Sequence, residues 1–175
     1  PSLALGAGEV SLLELAAAYA VFANGGDGVW AHGIIEIRDK AGRVLYRRAG
    51  DGPGRVVAAR NTAAMNRMLA GVIEKGTGRG AAFTHPAAGK TGTSQGFRDA
   101  WFLGYSAQLV AGVWLGNDDA RPMKRVTGGG LPARLWRSIM AESHKGRPAR
   151  PLPGLVAPER GFWEFLVGRL KGVGG

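Results

Sequence analysis

The sequence predicts an α+β fold: helices first, then a late antiparallel sheet, then a closing helix packed against it. Three observations carry this. Apolar residues recur at helical spacing over residues 11–23 and 61–75. Two short apolar runs, Trp101–Tyr105 and Leu109–Leu115, are joined only by Ser106-Ala107-Gln108, and a connection that short implies antiparallel neighbours. Pro132 then opens a third helical pattern. Strands are expected at about 88–95, 100–106 and 108–116.

The elements follow in order. Pro1–Gly8 is small and apolar without a period and leads into the first helix. Ser11-Leu12-Leu13-Glu14 is a capping-box pattern: the serine hydroxyl takes the third helical N–H and the glutamate reaches back to the cap. Leu12, Leu15, Tyr19 and Phe22 form one stripe, and Leu13, Ala16 and Ala20 a second. A helix apolar on most of its circumference is expected to be buried. Asn24-Gly25-Gly26 ends it with residues that tolerate a left-handed backbone. Gly33–Arg48 reads as a hairpin turning at Asp39–Gly42. Asn61 is the expected cap of the second helix, with Met65, Met68, Leu69, Val72 and Ile73 on its core face. Gly76-Thr77-Gly78-Arg79-Gly80 stops that helix; no strand precedes it and no Gly-Lys-Ser/Thr ending follows, so it is a terminus and loop, not a phosphate cradle.

Asn117-Asp118-Asp119 lies where a strand ends, and turn chemistry is its expected use. Gly128-Gly129-Gly130 is a loop, and the third helix offers Leu135, Trp136, Ile139 and Met140 as its apolar face. Residues 1–145 are expected to form one body and residues 146–175 a Pro/Gly/Arg-rich tail. In that tail Phe162, Trp163, Phe165, Leu166 and Leu170 make a short amphipathic patch, suited to docking on the body or touching a membrane surface.

Composition sets outer bounds. With 175 residues, 45% hydrophobic and 21% charged, the chain can bury a sizeable core and is not of a disordered type. It holds no apolar run of the roughly 18 residues a membrane helix needs and no recognisable signal peptide, so any anchor or export signal is expected outside it. The absence of cysteine excludes disulfides, thiolate metal sites and cysteine nucleophiles. His32, His85 and His144 are far apart in sequence, and no metal site or cofactor is expected. The net charge of +10 favours anionic partners, and it is concentrated in residues 121–150, where eight bases face the single acid Glu142. A solvated arginine-rich surface would give the same count.

The chemistry centres on Ala88-Gly89-Lys90-Thr91-Gly92-Thr93-Ser94. Thr91 and Thr93 are β-branched and suit a strand; Gly92 between them marks a close approach of another backbone or a ligand. With a period of two, both threonine hydroxyls share one face, and Lys90 and Gly92 share the other. Two hydroxyls, free backbone N–H groups and a nearby ammonium suit an anionic, extended ligand laid along a strand edge. The plainer reading of the same residues is an edge strand with threonines in water and a lysine blunting the edge.

Lys-Thr-Gly is also the third motif of the serine β-lactamases and penicillin-binding proteins. Further stretches, in order, resemble the class A penicillin-binding proteins: Pro1–Gly6 leading to Glu9–Glu14, Ala18–Gly26, Gly89–Ser94, Asp99–Tyr105 and Val110–Asp118. The resemblance runs from residue 1 to about residue 142 and implies the C-terminal half of a transpeptidase domain, with a β-lactamase/transpeptidase-like fold. It implies a serine acyl-enzyme formed on a D-Ala-D-Ala stem peptide and passed to an amine, and it implies binding of β-lactam antibiotics. Carried over by position, Lys90 would lie near the nucleophile and the substrate carboxylate, Thr91 and Thr93 would bind that carboxylate, Gly92 would allow close approach, and the Thr93 N–H would be an oxyanion donor. Lys90, on the opposite face, would have to curl round the strand or enter the site from beneath to reach them.

The family's Ser-x-x-Lys and Ser-x-Asn motifs do not occur: three residues after Ser2, Ser11, Ser94, Ser106, Ser138 and Ser143 stand Leu5, Glu14, Phe97, Leu109, Ala141 and Gly146. The resemblance therefore implies that the nucleophile, a glycosyltransferase domain and the membrane anchor precede this chain, on the periplasmic side of a bacterial inner membrane, and that the chain alone is inactive. A serine β-lactamase or D,D-carboxypeptidase is the near alternative. A non-catalytic basic module binding an anionic polymer or nucleic acid is the distant one, since no nucleic acid is expected on the transpeptidase reading.

Overall fold

The computed structural model describes residues 8–50 and 52–155. Helix α1 (Leu12–Ala23) is followed by the hairpin β1 (Glu36–Arg38) and β2 (Val44–Arg47), then α2 (Ala59–Glu74), the strands β3 (Ala88–Thr93), β4 (Asp99–Tyr105) and β5 (Val110–Gly116), and α3 (Leu131–Ser143). Strands β3, β4 and β5 make one antiparallel sheet in chain order, and β1 and β2 pair separately. The α+β expectation and all three late strands hold, with ends one or two residues from those expected.

The register explains which helix lies on which face. Thr91, Phe102 and Val113 line up across the sheet, as do Lys90, Leu103 and Gly112 one step along, so the two rows point to opposite faces. On the first face α3 packs: Trp136, Met140 and Ala133 meet Phe102, Val113 and Ile73. The Trp136 indole donates to the carbonyls of Gly104 (3.3 Å) and Ala111 (3.0 Å), so its polar atom is satisfied inside the core. Gly104 is required there, since a Cβ would lie 2.8 Å from the Trp136 ring. On the second face lies α1, with Leu12 set over Gly112 and Tyr19 meeting Tyr105 edge to face at 6.3 Å. Helix α2 packs beside β3, and Leu69 and Ala70 join Ala88, Tyr105 and Leu152 in a second cluster.

Four expectations about faces and ends are corrected. First, α1 forms its capping box as expected, Ser11 Oγ accepting from the Glu14 N–H at 3.2 Å and Glu14 accepting from the Ser11 N–H at 2.9 Å, but none of its residues is fully buried. Its sheet-facing stripe is covered, while Leu13 on the outer side is 67% exposed. Second, α2 is capped at Ala58 and not Asn61; Ala58 supplies the extended residue, and the Asn61 and Thr62 N–H groups already return to its carbonyl. Third, the buried stripe of α2 is Thr62, Asn66, Leu69, Ala70 and Ile73, with Met68 turned outward. Asn66 can be inside because its amide donates to the carbonyls of Phe22 (3.3 Å) and Pro153 (2.9 Å) and accepts from the Tyr105 hydroxyl (2.6 Å). Fourth, α3 buries Pro132, Ala133, Trp136 and Met140, a stripe rotated so that Leu135 and Ile139 lie at its exposed margin.

The start of the expected tail is laid onto the body: Leu152 is 2% exposed in the second cluster and Pro153 bonds Asn66. The amphipathic patch at 162–170 lies outside the described residues. The hairpin forms with its turn at Asp39–Gly42, where the Asp39 carboxylate takes the N–H groups of Ala41 and Arg43. Among the described residues, no helix is long and apolar enough to cross a membrane.

Candidate active site

Among the described residues, strand β3 is an edge of its sheet and bonds to β4 alone. The Ser94 N–H donates to the Asp99 carbonyl in the same register, which fixes the alternation: residues 88, 90 and 92 bond to β4, and Gly89, Thr91 and Thr93 turn their backbone N–H and C=O to the open side. The expected donor, the Thr93 N–H, is thus on the outer edge. Lys90 does curl round the strand. Its side chain starts on the α1 face, and Nζ donates to the Thr91 carbonyl at 3.0 Å, placing the ammonium at the open edge beside the two threonines.

Each threonine hydroxyl is held from behind. The Gly128 N–H donates to Thr93 Oγ1 at 3.1 Å, and Thr91 Oγ1 and Thr77 Oγ1 are 2.7 Å apart. The glycine loop packs flat on β3: a Cβ on Gly128 would lie 2.2 Å from the Trp101 carbonyl and 2.5 Å from that of Gly92, and one on Gly129 would lie 2.2 Å from the Thr77 carbonyl. Gly92 is tight as well, its added Cβ 3.2 Å from Trp101 Cβ. Sequence reasoning took Gly128–Gly130 and Thr77 only as loop residues. The signal was three consecutive glycines after a sheet, which is the composition a backbone-on-backbone contact demands.

A cleft of about 820 Å³ opens along this edge. Lys90, Thr91, Gly92 and Thr93 form one wall; Glu9, Val10, Leu15 and Tyr19 the other, with Trp101 and Leu103 also lining it. Ser94 and Asp99 also line it, and the turn between them holds Phe97 at a φ of 56°, a left-handed conformation unusual for a bulky residue. It is tied to the loop before α3 by the Met123 N–H donating to the Phe97 carbonyl at 2.9 Å. All four expected residues line this cleft, which presents an ammonium, two hydroxyls and outward N–H groups. Ser94 is the one serine lining the cleft among the described residues, and its hydroxyl accepts from the Asp99 N–H at 2.8 Å.

One serine does meet a histidine. Ser106 Oγ and His144 Nε2 are 2.8 Å apart, but both residues are buried, at 2% and 3% exposure, away from the cleft. Ser106 Oγ also accepts from the Gln108 and Leu109 N–H groups, and His144 Nδ1 donates to the Met140 carbonyl at 2.7 Å. This pair fastens the β4–β5 turn to the end of α3. Two histidines that are far apart in sequence meet in the fold, the His85 and His144 rings being 4.6 Å between centroids. Burial holds the His144 imidazole below its ordinary pKa, and the neighbouring His85 and Arg147 push the same way, against the Met140 carbonyl.

Comparison with known proteins bears on the family and the fold. The penicillin binding protein transpeptidase domain family matches residues 2–141. Penicillin-binding protein 1A of Neisseria flavescens is 38% identical over 165 residues, covering 90% of this chain and 20% of that protein. Penicillin-binding protein 1A of Aquifex aeolicus is 39% identical over 141 residues, 79% of this chain and 19% of that protein. The chain thus spans about a fifth of the length of these relatives. Among solved structures, penicillin-binding protein 1A from Haemophilus influenzae superposes with a TM-score of 0.77 at 25% identity, over 91% of this chain and 32% of that one. An imipenem acyl-enzyme complex of penicillin-binding protein A from M. tuberculosis shares the fold with a TM-score of 0.62 at 22% identity, over 75% of this chain and 30% of that one. On the family match and the shared fold together, the chain belongs to the penicillin-binding protein transpeptidase family.

Proposed function

We propose that this chain forms one wall of a serine-type D,D-transpeptidase site that cross-links peptidoglycan stem peptides and binds β-lactams. The observation that carries the reading is the open β3 edge, with Lys90 Nζ curled onto the Thr91 carbonyl beside a cleft. A terminal D-Ala carboxylate, or the carboxylate of a β-lactam, accepts from the Thr91 and Thr93 hydroxyls under the field of the Lys90 ammonium. The scissile carbonyl oxygen then lies against the Thr93 N–H, an oxyanion donor of a kind typically worth about 2.7–4 kcal/mol. Gly92 leaves room for that approach.

The attacking serine and its lysine base belong, on this reading, to polypeptide that precedes residue 1 in the relatives. The serine oxygen adds to the penultimate D-Ala carbonyl, the C–N bond breaks, and the terminal D-Ala leaves with a proton on its amine. An acceptor amine then displaces the serine and completes the cross-link. The chain alone neither acylates nor cross-links. On this reading the described residues are the C-terminal half of a transpeptidase domain, with Leu152 and Pro153 part of its body, and the site faces the periplasm.

A fluorescent penicillin tests this. A chain carrying the complete domain is labelled covalently, the 175-residue chain is not, and Lys90→Ala in the complete domain lowers the labelling rate at least 100-fold. Covalent labelling of the short chain at any of its own serines, or a Lys90→Ala variant that labels like its parent, contradicts the proposal.

A further inference from the structure

We infer that Thr77 is a positioning residue for the carboxylate-binding hydroxyl of Thr91; the inference rests on the transpeptidase reading of the site. The two hydroxyl oxygens are 2.7 Å apart, and either can be the donor in the empty site. A bound carboxylate removes that freedom. It is acceptor-only, so Thr91 must give it its single proton, and the Thr77 hydroxyl must then turn to donate to Thr91. Thr77 so fixes the Thr91 hydroxyl rotor with its hydrogen toward the ligand, and polarises it in the direction the anion needs.

The two threonines of the wall are thereby braced by the same logic through different groups. Thr93 Oγ1 has its acceptor position filled by the backbone N–H of Gly128, at 3.1 Å, which leaves its proton free. Thr91 has no backbone donor among the described residues, and Thr77 fills that place with a side chain. Thr77 is itself held firmly. The Gly78 N–H returns to the Val72 carbonyl at 2.9 Å, and Gly129 lies so close to the Thr77 carbonyl that an added Cβ would come within 2.2 Å of it. Among the residues of the Gly76–Gly80 loop, Thr77 is thus the one that acts on the site.

Valine is the matching probe, because it keeps the β-branch and backbone preference of threonine and removes only the hydroxyl. In a chain carrying the complete domain, acylation rate constants are measured with benzylpenicillin and with its methyl ester, whose carboxylate is masked. The parent is expected to prefer the free acid. Thr77→Val is expected to lower the rate for the acid about fivefold, the worth of one neutral hydrogen bond, and to leave the ester rate in place. Thr77→Ser, which restores the hydroxyl, is expected to return the acid rate toward the parent's, with thermal midpoints of all three within about 2 °C. An acid-to-ester ratio unchanged in Thr77→Val, whether both rates hold or both fall together, overturns the inference while leaving the site reading intact. A parent that is not acylated at all overturns both.

Discussion

Replacing Gly128 by alanine puts the account of the β3 wall under direct stress. Gly128 is buried against β3, and the added Cβ would meet three backbone atoms: the Trp101 carbonyl oxygen at 2.2 Å and the Gly92 oxygen and nitrogen at 2.5 and 2.8 Å. Ordinary contact starts near 3.4 Å, so loop and strand must part by about 1 Å, and no flexible side chain is there to yield. Overpacking of this kind costs about 1–3 kcal/mol, and the stretched bond from Gly128 N–H to Thr93 Oγ1 adds about 1 kcal/mol. Expected destabilisation is therefore about 2–4 kcal/mol. The same shift displaces the Thr93 N–H, and a misplacement of about 1 Å at a reacting centre can cost on the order of 100-fold in rate. Denaturant unfolding and penicillin acylation of the complete domain measure both. Gly33→Ala is the control, since nothing lies within 4 Å of its added Cβ, and a change within about 0.5 kcal/mol is expected. A Gly128→Ala protein as stable and as quickly acylated as Gly33→Ala would refute the packing argument.

Two further predictions concern stability alone. Gly71 lies inside α2 with nothing near an added Cβ, so Gly71→Ala is expected to stabilise by about 1 kcal/mol, read as a higher thermal midpoint; a lower midpoint would show a contact at that helix face that the geometry excludes. His144 has its native pKa held below the unfolded value, chiefly by burial, so the native state prefers the neutral imidazole. Its contribution is fully present above about pH 6.5 and is lost as pH falls from there through the lower native value. Urea midpoints should drop across that window, and His144→Gln should flatten this part of the pH profile, whereas an equal slope in both proteins would assign the loss to other groups.

How much of this was legible beforehand depended on the range of the interaction. The capping box at Ser11 and Glu14, the turn at Asp39–Gly42 and the helix start at Pro132 are local events, and each is written in residues a few positions apart. The late sheet was legible because apolar runs and very short connections leave one pairing. The face of α2 was not, because Asn66 owes its burial to Tyr105 and Pro153, the latter 87 residues away, and no periodicity in the helix records distant partners. Met68 fits the stripe by its apolar character, yet among the described residues it lies 61% exposed. At the site, β-branching and alternation gave the extended wall and set Lys90 on the face opposite the threonines, but not the route by which its ammonium reaches the edge. Thr77 and Gly128 escaped notice because their role is to touch a strand separated from them by 14 and 35 residues. Leu152 escaped in the same way, as one apolar anchor within a proline-rich stretch.

The central claim is that the outer edge of β3 grips an acidic terminus while a carbonyl is attacked beside it. A crystal structure of the complete domain acylated by benzylpenicillin tests it most directly. The account predicts the drug's carboxylate within hydrogen-bond distance of the Thr91 and Thr93 hydroxyls, its acyl carbonyl oxygen on the Thr93 N–H, and the Lys90 ammonium at that same edge. An acyl group bonded to a serine but turned away from β3, with its carboxylate held elsewhere, would contradict the claim.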